Sequence, residues 1–147
     1  MARRTSIGIV VAEFNPEITS EMLKSALRRA AELGAKVVAE IRVPGSYDVP
    51  LAAKTLALRP EVEAVVCIGA VVKGETDHDR VITGATALSL QQIALETMKP
   101  VTLGITGPGM TEEQARARID YAANAVEAAV KMLDAVAKAR GEDRQNA

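Results

Sequence analysis

The stretch SIGIVVA, residues 6–12, is short, apolar and rich in β-branched side chains, which is typical of a strand buried on both faces. Similar runs follow at residues 36–43 (KVVAEIRV), 63–71 (EAVVCIGAV) and 100–106 (PVTLGIT). Segments with helical spacing separate these runs, so strands and helices alternate along the whole chain.

Capping residues and helix breakers set the ends of the predicted helices. Asn15 precedes a proline as an N-cap, Gly34 stands at a C′ position, and Thr111 with Gln114 matches a capping box. Asp48 suits the cap of a short helix, although it also suits binding of ligand hydroxyls. The predicted helices cover residues 17–33, 49–58, about 80–97 and 111–140.

A βαβαβαβα order with strands buried on both faces predicts a parallel sheet inside a three-layer α/β/α sandwich. With four strands, we expect the flavodoxin-like order 2-1-3-4, whose switch point lies between strands one and three. Ligands of such folds bind beyond the carboxyl ends of the strands at that point, so Phe14 and His78 should face one crevice. We expect residues 1–147 to form a single domain, with frayed ends at 1–5 and 141–147.

The composition excludes several classes of protein. Apolar residues make up 48% of the 147 residues, enough to fill a core, which excludes a disordered chain. The 18 basic and 19 acidic side chains leave a net charge of −1, which provides no basic surface for nucleic acid. No apolar run approaches the ~20 residues that span a bilayer, and the first run is too short for a signal peptide. We therefore expect a cytoplasmic protein without nucleic-acid or membrane partners.

The last predicted helix is apolar around most of its circumference. Between residues 122 and 138 its polar side chains form one narrow stripe with three- and four-residue spacing, made of Asn124, Glu127, Lys131, Asp134 and Lys138. Because a surface helix normally buries one face and exposes the rest, this pattern predicts an interface with another subunit. The alternative is that the many alanines reflect only a high helix propensity.

The chain contains a single histidine, His78, in the loop that follows the third strand. Histidine titrates near neutral pH without help, so His78 is a candidate for proton transfer, with a structural role as the alternative. Together with Glu75, Asp77 and Asp79 it makes only a weak zinc signature. The single cysteine, Cys67, adds no multi-cysteine metal site.

Two glycine-containing turns are candidate anion sites. Gly74, Glu75 and Thr76 precede a helix, whose N–H groups and threonine hydroxyl can bind an anion or simply cap the helix. The segment GPGMT at residues 107–111 is the rival loop. Neither turn matches a P-loop or a dinucleotide-binding fingerprint, which disfavours nucleotides as ligands.

Three motifs together resemble one enzyme family. They are Phe14-Asn15, the segment VPGSYDVPLAAK at residues 43–54 and the segment GAVVKGETDHD at residues 69–79. Over residues 6–136 the chain is similar to the lumazine synthases. Its GPGMT loop and shortened last helix resemble the archaeal branch of that family.

The resemblance implies a transferase that carries out the penultimate step of riboflavin biosynthesis. The amine of 5-amino-6-(D-ribitylamino)uracil attacks the carbonyl of (3S)-3,4-dihydroxy-2-butanone 4-phosphate. Imine formation, release of phosphate and water, and ring closure then give 6,7-dimethyl-8-ribityllumazine. No cofactor and no metal are implied. The resemblance also implies assembly into homopentamers or sixty-subunit shells. Riboflavin synthase is a further candidate partner.

The matching positions imply a role for each site residue. Phe14 takes the place of the ring that stacks on the pyrimidinedione, and His78 that of the proton-transferring histidine. Glu75, Thr76 and, from a neighbouring subunit, Arg118 match phosphate-binding positions. The remaining positions that contact the uracil substrate are Ser46, Tyr47 and Asp48 at the ribityl chain, the backbone of Ala70, Val71 and Val72 at the uracil edge, and Leu103, where many relatives have phenylalanine. A family lysine near the phosphate has no match, which leaves open its replacement and the usual kink in the last helix.

Two other functions stay open on the same fold. One is an archaeal riboflavin synthase that dismutates two lumazines, and the other is a non-catalytic protein that binds ligands or forms cages. The segment GETDH at residues 74–78 counts against the first. The joint presence of Thr76, His78 and Arg118 counts against the second.

Overall fold

The computed structural model describes residues 4–142, which contain a sheet of four parallel strands. The strands lie in the order β2-β1-β3-β4, so the predicted flavodoxin-like order is confirmed. The strands begin and end within one residue of the predicted positions, at β1 Ser6–Ala12, β2 Lys36–Val43, β3 Ala64–Ala70 and β4 Val101–Thr106.

Helices cover both faces of this sheet and complete the three-layer α/β/α sandwich. Their bounds are α1 Pro16–Glu32, α2 Val49–Ala57, α3 His78–Thr97, α4 Glu112–Arg116 and α5 Tyr121–Ala139, with a short 3-10 turn at Ser46–Asp48. α1 and α5 pack on one face of the sheet, whereas α2 and α3 pack on the other.

The central strand β1 shows how successive side chains fill two cores. Ile7, Ile9 and Val11 belong to the cluster under α1 and α5, whereas Val10 and Ala12 belong to the cluster under α2 and α3. This alternation follows from the two-residue period of a strand. Both sets are apolar because helices cover both faces of the sheet.

The single helix predicted over residues 111–140 is wrong, because the structure divides it into α4 and α5. Between them, the N–H groups of Arg118 and Tyr121 donate to carbonyls three residues back, at 3.0 Å each, instead of four. The turn is also held from outside, since the Ser25 hydroxyl in α1 lies 3.0 Å from Asp120 Oδ1. The kink that the sequence left open is therefore present.

The predicted capping box at the start of α4 is confirmed. Thr111 Oγ1 accepts a hydrogen bond from the N–H of Gln114 at 3.1 Å, and Gln114 Oε1 accepts one from the N–H of Thr111 at 2.9 Å. These two bonds satisfy donors that a helix N-terminus otherwise leaves free.

Two other predicted caps stand at the N-cap positions, but their side chains make no cap bond. Asn15 precedes α1 in the left-handed conformation, with φ 60°, and its side chain does not cap the helix. Instead, Asn15 Nδ2 donates to the carbonyl of Ala70 at 2.7 Å. Asp48 stands before α2, but its carboxylate accepts from the N–H of Gly45 at 3.0 Å and makes no cap bond to α2.

Exposed apolar side chains lie on several elements of the chain, and those of α3 form a line. The apolar side of α5 is covered within the chain itself, since Ala122, Val126 and Ala129 pack into the core shared with α1 and the sheet. On α3, by contrast, Val81, Leu88 and Leu95 are exposed and lie seven residues apart. This spacing places them along one side of the helix.

Most of the residues for which the sequence predicted frayed ends are not described by the structure. Residues 1–3 and 143–147 lie outside the described residues. Thr5 is buried, and its carbonyl accepts a hydrogen bond from the N–H of Lys36 at 2.7 Å. Among the helices of residues 4–142, none combines the length and apolar character that crossing a membrane requires.

Candidate active site

A cavity of about 490 Å³ opens at the carboxyl ends of β1 and β3, where the strand order reverses. The structure thus brings Phe14 and His78 to one crevice, although they are 64 residues apart in the sequence. The lining consists of Phe14, Gly45, Ser46, Tyr47, Ala70, Val71, Val72, Gly74, Thr76, His78, Asp79 and Ile82.

Two aromatic rings line the cavity and are largely exposed to solvent. The side chain of Phe14 is 71% exposed and that of Tyr47 is 67% exposed. The backbone beneath Phe14 is well held, because its N–H donates to the carbonyl of Pro44 at 3.0 Å and Asn15 anchors the same loop to β3. A ring on a fixed backbone with a free face suits stacking on a planar ligand.

The segment around Ser46 reaches the cavity because β3 has a glycine beneath it. A Cβ at Gly69 would lie 2.5 Å from Ser46 Oγ, so only glycine permits this close approach. Ser46 is buried, and its carbonyl accepts a hydrogen bond from the Thr86 hydroxyl of α3 at 3.2 Å. Strand and helix together therefore position the segment at Ser46–Asp48, for which the resemblance implied contact with the ribityl chain.

The candidate anion loop ends at the first residue of α3. Thr76 Oγ1 accepts a hydrogen bond from the N–H of His78 at 3.3 Å, so Thr76 caps the first turn of the helix. Its hydroxyl hydrogen is not used in that bond and can be donated to a ligand. Both interpretations of this threonine, as a cap and as an anion contact, are compatible with the geometry.

Asp79 is the site residue whose part the sequence did not indicate. Its side chain is only 4% exposed, and Asp79 Oδ2 accepts a hydrogen bond from the N–H of Gly109 at 2.8 Å. That N–H bond lowers the pKa of the Asp79 carboxyl below its ordinary value, with N–H groups of the helix N-terminus acting in the same direction. The sequence feature that could have indicated its role is its position on the buried face of α3, one turn before Thr83 and two turns before Thr86.

Four residues of the predicted site lie away from this cavity. Leu103 lines a second cavity of about 340 Å³ between α3 and β4, beside Arg80 and Pro108. Arg118 lies in the turn between α4 and α5 and donates from Nη1 to the carbonyl of Gln114 at 2.9 Å. Asp48 and Glu75 are neighbours of lining residues but do not line the cavity themselves.

The thiol of Cys67 and the potential metal ligands of the described chain lie outside the cavity or do not converge on one point. Cys67 is buried in the middle of β3, and burial raises the pKa of its thiol well above the ordinary value. Across residues 4–142, no group of three or more histidine, cysteine, aspartate or glutamate side chains converges as a metal site would require.

A flavodoxin-like sheet with a ligand cavity at its switch point defines an α/β protein that binds a small molecule beyond the ends of its strands. The model of the 6,7-dimethyl-8-ribityllumazine synthase family matches residues 4–137, and the chain belongs to that family of transferases.

Relatives of similar length support this membership. A protein from Methanopyrus kandleri is 49% identical over 136 residues, which cover 92% of this chain and 96% of the relative. One from Methanococcus maripaludis strain C5 is 52% identical over 127 residues, covering 86% and 93%. A third, from Methanocaldococcus jannaschii, is 50% identical over 133 residues, covering 90% and 94%. Each of the three is named 6,7-dimethyl-8-ribityllumazine synthase.

Proposed function

We propose that this protein condenses 5-amino-6-(D-ribitylamino)uracil with (3S)-3,4-dihydroxy-2-butanone 4-phosphate, releasing phosphate and water and forming 6,7-dimethyl-8-ribityllumazine. The observation that carries the proposal is the cavity itself, which gathers an exposed ring, a buried serine and the histidine of the chain around a helix N-terminus. Stacking, hydroxyl recognition, proton transfer and anion binding are the four tasks this condensation requires.

In the proposed complex the uracil substrate occupies the part of the cavity near β1 and β3. Phe14 stacks on the pyrimidinedione, and the backbone of residues 70–72 hydrogen-bonds its edge. Ser46, Tyr47 and Asp48 hold the ribityl chain. These roles are supported by the exposed face of Phe14 and by the held backbone of the segment around Ser46.

The phosphate of the second substrate occupies the N-terminal end of α3. The N–H groups of residues 74–76 and the Thr76 hydroxyl donate to it, with Glu75 contributing its backbone. Its carbonyl carbon then lies near the uracil amine. His78 carries protons between the amine, the carbinolamine oxygen and the leaving groups, so that water and phosphate depart without charge building up.

A neighbouring subunit completes the site in this proposal. Arg118 and Leu103 do not line the cavity of their own chain, and Arg118 is half-buried in the turn between α4 and α5. We place both at the cavity of the adjacent subunit, where the guanidinium grips phosphate oxygens in a bidentate way. The exposed apolar stripe of α3 supports assembly into a homopentamer or a larger shell of pentamers.

One assay tests the proposal and its alternatives. The purified protein is mixed with both substrates, and the absorbance of 6,7-dimethyl-8-ribityllumazine and the release of phosphate are followed together. We expect equal amounts of the two products. The protein is then given lumazine alone, and formation of riboflavin there, without condensation of the two precursors, would make it a riboflavin synthase. No reaction in either mixture would favour a binding or cage-forming protein.

A further inference from the structure

The first turn of α3 contains a buried carboxylate to which the proposed condensation assigns no step. Residues 73–78 and Arg80 are exposed, but Asp79 between them is buried at the side of the cavity. Asp79 Oδ2 accepts the N–H of Gly109 at 2.8 Å, and Asp79 Oδ1 is buried without a hydrogen-bond partner among residues 4–142. A buried ionised oxygen is costly, so the interactions that keep it there need an explanation.

The bond to Gly109 is one of three ties between residues 71–79, several of which line the cavity, and residues 106–110 of the neighbouring segment. The N–H of Val71 donates to the carbonyl of Thr106 at 2.9 Å, and the N–H of Lys73 donates to the carbonyl of Met110 at 2.7 Å. These two backbone bonds hold the chain after β3 against the loop at residues 107–110. Asp79 adds the third tie, from the helix that follows, so the loop is joined to both sides of the anion site.

His78 depends on this arrangement because its own side chain is held by nothing else. Within residues 4–142 the imidazole makes no hydrogen bond and no ion pair, and the bond at this residue runs from its backbone N–H to Thr76. The position of the ring is therefore set by the backbone of the first turn of α3. Asp79 is the next residue in that turn, and its carboxylate is anchored outside the helix.

We propose that Asp79 is a positioning residue, which sets the place of His78 by tying the first turn of α3 to the loop at residues 107–110. A carboxylate suits this task because its hydrogen bond to a backbone N–H is charge-assisted and because a helix N-terminus stabilises its negative charge. Asp79 touches no substrate in this scheme. The inference rests on the proposed function for its kinetic readout, whereas its structural readout is independent of any activity.

The test compares Asp79→Ala, which removes the tie, with Asp79→Asn, which keeps an oxygen that can accept from Gly109. In Asp79→Ala we expect kcat to fall at least about tenfold while the KM for the uracil substrate changes less than about threefold. The Gly109 amide, followed by NMR hydrogen exchange, should exchange at least about tenfold faster. Asp79→Asn should recover most of both effects. Glu21→Gln, on the exposed side of α1, is the control for loss of a carboxylate elsewhere.

Two outcomes overturn the inference. Wild-type kcat or unchanged exchange at Gly109 in Asp79→Ala would show that the tie does not position His78. Equal loss of kcat in both variants, with Gly109 still protected in Asp79→Asn, would make the charge and not the tie responsible. If Asp79→Ala fails to fold, Asp79→Ser replaces it in the same comparison. Wild-type protein that forms no lumazine would refute the proposed function, whereas an active wild type with an equally active Asp79→Ala refutes only the positioning role.

Discussion

At the scale of single residues, the site combines side chains that the fold leaves free with backbone that it holds firmly. Phe14 is the only phenylalanine of the chain, and it is exposed at the cavity instead of filling the core. His78 likewise has a free side chain on a capped first turn of α3. Substitutions of these two residues should therefore change ligand binding or chemistry with little effect on the fold.

Replacement of Phe14 by alanine should weaken binding of the uracil substrate by about 1–3 kcal/mol, the range for stacking of a base on an aromatic ring. The free energy of unfolding should stay close to that of the wild type, because the ring buries little surface in the subunit. Calorimetric titration and urea unfolding measure the two quantities. Phe14→Tyr, which keeps the ring, should bind normally. Parallel losses of stability and affinity would instead make Phe14 a packing residue.

Replacement of His78 by alanine should lower kcat by about 10²–10⁴-fold, the usual contribution of general acid–base catalysis. The reaction should remain measurable, since an amine and a carbonyl held together react slowly without help. Both substrates should still bind, because the imidazole is not part of the stacking surface or the backbone anion loop. Steady-state kinetics between pH 5 and pH 9 test this. An unchanged rate across that range would remove His78 from the mechanism.

At the scale of secondary-structure elements, β3 and the 3-10 turn at Ser46–Asp48 approach each other more closely than most side chains would permit. The contact depends on Gly69, where an added Cβ would meet Ser46 Oγ at 2.5 Å. The same turn is bonded to α3 through Thr86. A substitution at Gly69 should therefore displace the turn at Ser46, although Gly69 and Ser46 are 23 residues apart in the sequence.

Gly69→Ala should destabilise the protein by about 1–3 kcal/mol, the cost of overpacking a filled core. The backbone at Gly69 is in an ordinary strand conformation, so the loss should come from the contact and not from strain. Ser46→Ala removes the oxygen that clashes, and the double variant should be more stable than the sum of the two single losses predicts. Additive losses in urea unfolding would show that the Ser46 contact is not the cause.

At the scale of the whole molecule, the proposed assembly would supply two things to each chain. One is a partner for the apolar stripe of Val81, Leu88 and Leu95 on α3. The other is a further cation for the phosphate, since Arg118 lies outside the lining of the cavity in its own chain, where Lys73 and Arg80 are exposed near the anion loop. Contact between copies of the chain would supply both.

Leu88→Glu should dissociate the assembly into smaller species in analytical ultracentrifugation, because it places a charge in the centre of the α3 stripe. The subunit should remain folded, since Leu88 is exposed within it. Leu27→Glu makes the same change at an exposed apolar residue of α1, on the other face of the sheet, and should sediment like the wild type. Met132→Glu tests α5, where Met132 lines a cavity together with Leu95 of the stripe. Dissociation by Met132→Glu but not by Leu88→Glu would instead place the interface on α5, as the sequence pattern predicted.

Arg118→Ala should raise the KM for the butanone phosphate far more than that for the uracil substrate, and inorganic phosphate should inhibit the variant less than the wild type. Arg118→Lys should recover only part of the loss, because an ammonium cannot form the paired bonds of a guanidinium. Arg28→Ala, an exposed arginine of α1, serves as the control. Unchanged inhibition by phosphate would remove Arg118 from the site.

Mixing subunits gives a further test of the same arginine. Arg118→Ala and His78→Ala proteins are each expected to be impaired alone. If the site lies between subunits, mixed assemblies should contain some sites with both residues intact and should regain activity. Mixtures that stay as inactive as the separate variants would place both residues in one subunit's site.

The sequence by itself determined the strands, their order and the location of the cavity. Short apolar runs rich in β-branched residues predicted each strand to within one residue. Burial on both faces explains this for the central strands β1 and β3, whereas the edge strand β2 has a single buried residue, Val43, so the expectation that all four strands are buried was wrong for β2. The short connections then permitted few topologies, and the reversal of strand order placed Phe14 and His78 together. The capping box at Thr111 was equally local, and it too was confirmed.

Only the tertiary structure decided which partners the polar side chains take. Asn15 bonds to Ala70 and Asp79 bonds to Gly109, partners 55 and 30 residues away that no local pattern specifies. The turn between α4 and α5 is bonded to α1 through Ser25 and Asp120, and the core-facing side of α5 is covered by α1 and the sheet of the same chain. The physical reason is that periodicity records how much of a side chain is buried, whereas the identity of the group that covers it is set when distant segments pack together.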